Sequence, residues 1–335
     1  MEVVDEQIAD APEIDGLVPE NSMFLDIETT GLSAHGAAIY LIGAVYKSHG
    51  IWRYRQWFAD RQREELDILQ AFLEFAGDYQ TLIHFNGTTF DVPFLRACAK
   101  QYHIELDLDQ REQMDLYRLL KPMGAFLGMH QMKQKSLEER IGLYREDRYT
   151  GKELIEQYKA YEKAPSDEVK QILLLHNRDD LIGMLSVTRA LAYEKVLRQT
   201  LTLLQLVQEE GQVTFLVKAQ GNMRIPAPAE FLNGDFYIHM DDEQIKITVP
   251  VKDASVRFFF PDYGNYVYLP KEDQAIHKSI GMYVDPNFRE KASYETAYQW
   301  SSLDLIAGDG KQLNSYMHRL FEHYIFDKKA IRRKK

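Results

Sequence analysis

The chain has 335 residues, a length that suits two domains better than one. It is 45% hydrophobic and 27% charged, the composition of an ordinary globular protein, and no apolar run is long enough to cross a bilayer. A net charge of −11 argues against a protein that coats nucleic acid without regard to sequence, since phosphate neutralisation drives that affinity.

Residues 1–20 are acidic and lack the basic-then-apolar pattern of a secretory signal, so they read as a flexible arm. The single cysteine, Cys98, excludes an intrachain disulfide framework and reads as a small buried residue. Together these features predict a cytoplasmic protein with no membrane partner.

A strand is expected over 23–28, followed by a Thr-Thr-Gly turn. Two more strands follow over 39–46 and 51–58, joined by a hairpin turn at 47–50. Leu66, Leu69, Phe72 and Leu73 give 64–76 a helical face. A short apolar strand at 81–85 leads to a second helix, with Asp91 as its N-cap and Pro93 in its first turn. Residues 114–120 form a strand or a short helix. Helices follow at 136–141, where Ser136 and Glu139 make a capping box, at 151–161 and at 166–187, the last either ending there or continuing as far as 207.

Three strands that can pair as a meander, then alternating helix and strand, predict a mixed α/β sheet flanked by helices. The character changes near 209–212. Short strands at 213–218, 236–239, 245–251, 256–260 and 266–269, and helices at 291–298 and 313–324, predict a smaller α+β domain. The expected organisation is therefore an arm (1–20), a larger α/β domain (21–208), an accessory domain (209–327) and a basic tail (328–335). The tail, KKAIRRKK, reads either as a solvated terminus or as an arm that contacts phosphate. In the accessory domain, Tyr266 and Tyr268 share a strand face; they fit either a small core or a base-stacking surface beside His277 and Lys278.

Three short stretches carry the chemistry. In FLDIETTGLS, Asp26 and Glu28 are two apart on a strand and so project to one face. Paired carboxylates repel, and a divalent cation would relieve them; hard oxygen ligands suit Mg²⁺ or Mn²⁺. Alone the tripeptide is weak, since roughly one is expected by chance in a chain of this length. In HFNGTTFDVPFL, Asn86-Gly87 turns and Asp91 opens a helix. In LLLHNRDDLIGML, His176 and Asp180 are four apart and share a helix face, with Asp179 as the alternative carboxylate. Asp115, in QMDLYRLL, is either a further site residue or structural. Lys133 and Lys135 are either phosphate contacts or part of a solvated helix start.

DIETTG, then N-x3-FD, then an H-x3-D helix, in that order, resembles the DEDD 3′–5′ exonucleases of the ribonuclease H-like superfamily, most of all the bacterial YprB-type ribonuclease H-like proteins. The resemblance spans about 24–190. It implies a ribonuclease H-like fold and hydrolysis of phosphodiester bonds at the 3′ ends of single-stranded DNA or RNA, with two ions of Mg²⁺ or Mn²⁺. Residue by residue, it implies that Asp26, Glu28, Asp91 and Asp180 ligate the metals and that His176 positions or deprotonates the attacking water. It also implies that Thr29, Thr30 and Gly31 hold the terminal nucleotide, that Leu32 wedges against the last base, and that Asn86 is a substrate contact. The chain departs from the family in carrying histidine at the spacing where one subclass has tyrosine, so His176 either acts as base or only orients the water. An inactive nucleic-acid-binding protein on the same scaffold is the alternative. Glycosidase-like acid–base catalysis ranks last, because carboxylates on one strand face do not flank a bond.

Overall fold

A computed structural model of the chain describes residues 1–145 and 149–326. The basic run of 328–335 lies outside the described residues. The chain divides into two compact units: Met1–Lys121 with Gln131–Leu191, and Pro122–His130 with the chain from Ala192 onward.

The first unit is built on β1 (Glu2–Gln7), β2 (Ser22–Thr29), β3 (Ile39–Ser48), β4 (Ile51–Phe58), β5 (Thr81–His84) and β6 (Glu112–Asp115). Its helices are α1 (Glu65–Ala76), α2 (Asp91–Gln101), α3 (Leu116–Leu120), α4 (Gln134–Arg140), α5 (Gly151–Lys163) and α6 (Asp167–Val187). The strands form one sheet in the order β1-β4-β3-β2-β5-β6. The expected meander is present as antiparallel β2-β3-β4, and β5 and β6 then add in parallel. This is the mixed sheet flanked by helices that the sequence predicts.

The period of two in β2 sorts its side chains. Met23, Leu25 and Ile27 join Ile68, Leu69 and Phe72 of α1 and Leu95 and Cys98 of α2 in one buried cluster. The alternate residues, Asp26 and Glu28 among them, face the other side, where α6 packs against β2 and β3. There Tyr40, Leu41 and Phe58 meet Leu154 and Tyr158 of α5 and Leu173 and Leu174 of α6.

The expected flexible arm is corrected in its first part. Glu2–Gln7 pairs antiparallel with β4 along its full length. The acidity that reads as solvation is paired instead. Asp5 accepts hydrogen bonds from Tyr46 (2.8 Å), Arg53 (2.8 Å) and Arg55 (2.6 Å). Burial works against the charge on Asp5, but these three donors outweigh it and hold its carboxyl below the ordinary range.

The second unit opens with α7 (Leu191–Leu197), followed by β7 (Leu201–Glu209), β8 (Gln212–Ala219), β9 (Ala229–Asn233), β10 (Phe236–Met240), β11 (Ile245–Pro250) and β12 (Ser255–Phe259). Then come β13 (Tyr266–Leu269), β14 (Gln274–His277), α8 (Lys278–Gly281), β15 (Glu290–Lys291), β16 (Tyr298–Ser302), α9 (Leu303–Gly308) and α10 (Gly310–Phe321). Five strands pair as β7-β8-β11-β10-β9, beside a pair β12-β16 and a trio β14-β13-β15.

Two expectations fail here, and one open alternative is decided. Of the two ends left open for the helix starting near 166, the structure has the nearer one, Val187, and 201–209 is a strand. Its leucine-rich pattern fits both periods, and hairpin pairing with β8 decides it. The unit therefore begins before 209. It also takes in 122–130, because Phe126 packs on Tyr193 and Phe231. The helix expected at 291–298 is absent; two short strands, β15 and β16, bracket that stretch.

The aromatic residues of this unit pack against one another. Tyr266 stacks on Phe260 at 4.1 Å, and the Tyr268 hydroxyl donates to Asp273 at 2.7 Å. His323 lies between Phe259 (3.7 Å) and Tyr294 (4.1 Å), both rings nearly parallel to it. Burial pushes its pKa down to about 4, with Arg257 adding to this and Glu295 and Asp235 opposing it. A histidine kept neutral in the fold contributes stability that is full above its unfolded value near 6.5 and is lost as pH falls toward 4. Urea unfolding should therefore show wild type losing on the order of 2 kcal/mol relative to His323→Phe between pH 7 and pH 4.5.

Candidate active site

Five of the predicted residues converge where β2, α2 and α6 meet. Glu28, His176 and Asp180 offer ligand atoms that all lie within 4.8 Å of one another. The His176 Nε2 is 3.1 Å from Asp180 Oδ2 and 3.5 Å from Glu28 Oε1. Asp180, and not Asp179, takes this position; Asp179 pairs with Arg178 at 3.2 Å.

Asp26 accepts a 2.7 Å hydrogen bond from Asn177 Nδ2. Burial, followed by the charges of Asp180, Asp91 and Glu28, raises its pKa well above the ordinary range. Burial also raises Asp91 to about 6, with Asp180 contributing. Asp180 moves the other way. Burial would raise it, but the His176 hydrogen bond and the Arg145 charge prevail and hold it low.

Asp91 is not the N-cap expected of it. Phe90 occupies the cap position without a side-chain bond, and Asp91 is the first helical residue. Its Oδ1 instead accepts from the backbone N–H of Ile27 at 3.2 Å. That N–H lies beyond Phe24, the last β2 residue paired with β5, so the aspartate takes the place of a missing strand partner. Gly87 permits the approach, since a Cβ there would lie 2.7 Å from the His84 ring and 3.0 Å from Asp91 Oδ2.

Asp115 has a structural role. Its carboxylate accepts from Asn86 N (2.9 Å), Thr88 Oγ1 (2.6 Å) and Arg118 N (3.3 Å), so it braces the Asn86 turn and caps α3. The capping box expected at Ser136 and Glu139 is also corrected. That helix starts at Gln134, and the capping box is made at the next helix by Thr150 and Glu153. Lys133 takes the cap position before α4 without a side-chain bond.

The residues predicted to bind substrate lie in two turns. Thr29 Oγ1 donates to the Gly31 carbonyl (2.8 Å), and Thr30 Oγ1 accepts from Ala38 N (2.9 Å). Both hydroxyls thus shape the turn. Leu32, at its tip, is 85% exposed. Asn86 holds a left-handed backbone conformation with φ of 62°.

Sequence reasoning missed several residues behind these. Asn177, fully buried, accepts from Gln56 Nε2 at 2.8 Å while it donates to Asp26. Arg145 pairs with Asp180 Oδ1 and with the fully buried Glu138. Tyr40 is the extra residue of a bulge, since Glu28 pairs with Leu41 and Thr29 with Ile39. Its ring stacks on Tyr158 at 4.1 Å, and its buried hydroxyl makes no hydrogen bond of ordinary geometry. Burial raises that phenol's pKa, and the Glu28 charge is the next cause. A glycine inside a strand, Gly43 of LIGAV, was the one available signal for the Asn177 contact.

Four carboxylates and an imidazole gathered in a partly buried site, two of the acids pushed upward by burial and then by their charged neighbours, form a donor set that fits hard divalent cations. Fold and site together define an α/β domain with a carboxylate-lined centre on a mixed sheet. Residues 23–192 match the family model described as RNase_H superfamily, and the chain belongs to that superfamily. Among solved structures, the chain is similar to the family B DNA polymerase of the hyperthermophilic archaeon Pyrobaculum calidifontis. That similarity has 17% identity and a TM-score of 0.43, and it covers 54% of this chain and 25% of the polymerase. No curated protein matches the chain. Among the described residues no helix is long and apolar enough to cross a membrane.

Proposed function

We propose that the chain is a metal-dependent 3′–5′ exonuclease acting on single-stranded DNA or RNA, with two ions of Mg²⁺ or Mn²⁺. The observation that carries this reading is the convergence of Glu28, His176 and Asp180 within 4.8 Å, with Asp26 and Asp91 in their electrostatic field. Membership of the RNase_H superfamily supports a nuclease over other hydrolases.

Asp26, Glu28, Asp91 and Asp180 would hold the cations. When bound, these supply charge against the phosphate oxygens and lower the pKa of an attacking water. The chain's own residues fix the geometry. Asn177 orients Asp26, and the Ile27 N–H orients Asp91. Arg145 takes one oxygen of Asp180 and leaves the other toward His176. The turn at Thr29–Leu32 offers the strand end a braced backbone and one exposed apolar side chain.

The test is stepwise shortening of 5′-labelled single strands of DNA and of RNA. Shortening is expected with Mg²⁺ or Mn²⁺ and none with chelator. Tight binding without turnover in any metal would reject the reading. Leu32→Ala should raise KM about three- to tenfold with kcat little changed, as for the loss of one apolar contact to a terminal base. Its thermal midpoint should stay at the wild-type value, because the side chain is exposed.

A further inference from the structure

We infer that His176 is itself a metal ligand, through Nε2, and that it tunes this centre toward Mn²⁺ over Mg²⁺. The inference rests on the nuclease reading only for the presence of a cation at this site.

Its first support is geometry. Neighbouring ligands on an octahedral divalent ion bound at about 2.1 Å stand roughly 3 Å apart. The His176 Nε2 stands 3.1 Å from Asp180 Oδ2 and 3.5 Å from Glu28 Oε1. The imidazole nitrogen thus stands near the spacing of adjacent ligands from a carboxylate oxygen on each of two elements, and all three atoms lie within 4.8 Å of one another. His176 and Asp180 are also i and i+4 on α6, the spacing by which a helix chelates an ion with two side chains.

The surroundings hold this arrangement in place. Arg145 occupies Asp180 Oδ1, so Oδ2 is the oxygen turned toward His176. Arg145 is in turn gripped by Glu138, over which Gly183 packs so closely that a Cβ would lie 2.0 Å from Glu138 Oε1. An independent observation comes from the sheet side. The Tyr40 hydroxyl, with the residue fully buried, lacks a hydrogen bond of ordinary geometry, and Glu28 acts on it most strongly among its charged neighbours. The buried phenol thus neighbours one of the three ligands from the sheet side.

A direct imidazole ligand changes metal preference. Mg²⁺ takes oxygen ligands, demands near-ideal octahedral geometry and keeps its waters, so an imidazole nitrogen in place of an oxygen penalises it more than Mn²⁺, the first of the transition ions in the affinity series. Nitrogen ligation also occupies the atom that would otherwise take a proton from water. Water activation then falls to the cation and not to the ring.

The experiment uses the full chain loaded with Mn²⁺ and reads electron spin echo modulation, which detects a nitrogen bound directly to the ion. Calorimetric titration with Mn²⁺ and with Mg²⁺ runs in parallel, as does strand shortening on the same samples. Wild type is expected to show imidazole nitrogen modulation. His176→Gln should lose it and bind Mn²⁺ about tenfold or more weakly, with Mg²⁺ affinity changed much less. Circular dichroism of His176→Gln should match wild type; if it does not, His176→Asn takes its place in the same comparison. Bound Mn²⁺ without nitrogen modulation would overturn the inference, as would modulation that persists in the variant. Strands that shorten while modulation is absent would overturn the ligand role and leave the nuclease reading standing. Modulation without shortening would do the reverse.

Discussion

Asp26→Asn is expected to abolish strand shortening and, in the absence of divalent cations, to make the protein harder to unfold. The two effects have one cause. Asp26 is buried beside Asp180, Asp91 and Glu28, and that company raises its pKa well above the ordinary range. An acid raised in the fold contributes stability below its unfolded pKa and forfeits it as pH rises through the folded value. At neutral pH, without cations, burying the Asp26 carboxyl in that company is therefore a cost to the fold. Asparagine removes the charge and keeps the shape, and its oxygen can still accept from Asn177 Nδ2, now 2.7 Å from Asp26 Oδ2. Urea unfolding in chelator at pH 7.5 should thus give a higher midpoint for the variant, and the gap should close on acidification. Added Mn²⁺ should reverse the order, because a cation bound only to the folded state stabilises wild type by mass action. Activity should fall on the order of 10³-fold, the several kcal/mol that a positioned cation contributes to a phosphoryl transition state. Equal strand shortening by the two proteins would remove Asp26 from the site. A variant less stable in chelator would show that the four carboxylates do not strain the empty fold.

That reversal also explains which parts of the site could be read from the sequence. Asp26 and Glu28 were legible because a strand's period of two is local, and His176 and Asp180 because a helix's i, i+4 spacing is local. The meander of β2, β3 and β4 was legible for the same reason. Asp91 was placed at the start of its helix, where it is, but given the wrong partner. A helix cap is a contact between neighbours in sequence, whereas its actual donor, Ile27 N–H, is 64 positions away. Arg145, Glu138, Tyr40 and Gln56 carried no local signal. Each acts through a contact that exists only once the sheet and α6 have packed. Asp5 shows the same limit from the other direction, since its acidity reads as solvation until Arg53 and Arg55 are brought alongside by pairing of β1 with β4. The strand at 201–209 failed because leucine spacing there fits either element, and only the β8 hairpin distinguishes them.

Gly43→Ala tests the most consequential of these long-range contacts. Gly43 lies directly between Asp26 of β2 and Gln56 of β4 across the sheet. Asn177 descends from α6 over that gap and joins the two, donating to Asp26 at 2.7 Å and accepting from Gln56 at 2.8 Å. Only a residue without a Cβ leaves room: an added methyl would lie 2.1 Å from Asn177 Oδ1 and 2.7 Å from Leu181 Cδ1. The helix must then lift or Asn177 must leave its partners, and His176 and Asp180 ride on the same helix. Overpacking of this kind costs about 1–3 kcal/mol, and an ångström of misplacement in a reacting constellation costs about 10²-fold in rate. Gly43→Ala should therefore lower both the urea midpoint and kcat. Pairing it with Asn177→Ala separates the two. Removing the amide makes space, so the double variant should recover part of the stability. It should recover little activity, because Asp26 then has no amide to orient it. Full recovery of both would show that Asn177 merely fills the gap above Gly43, and that Asp26 holds its position without help from α6.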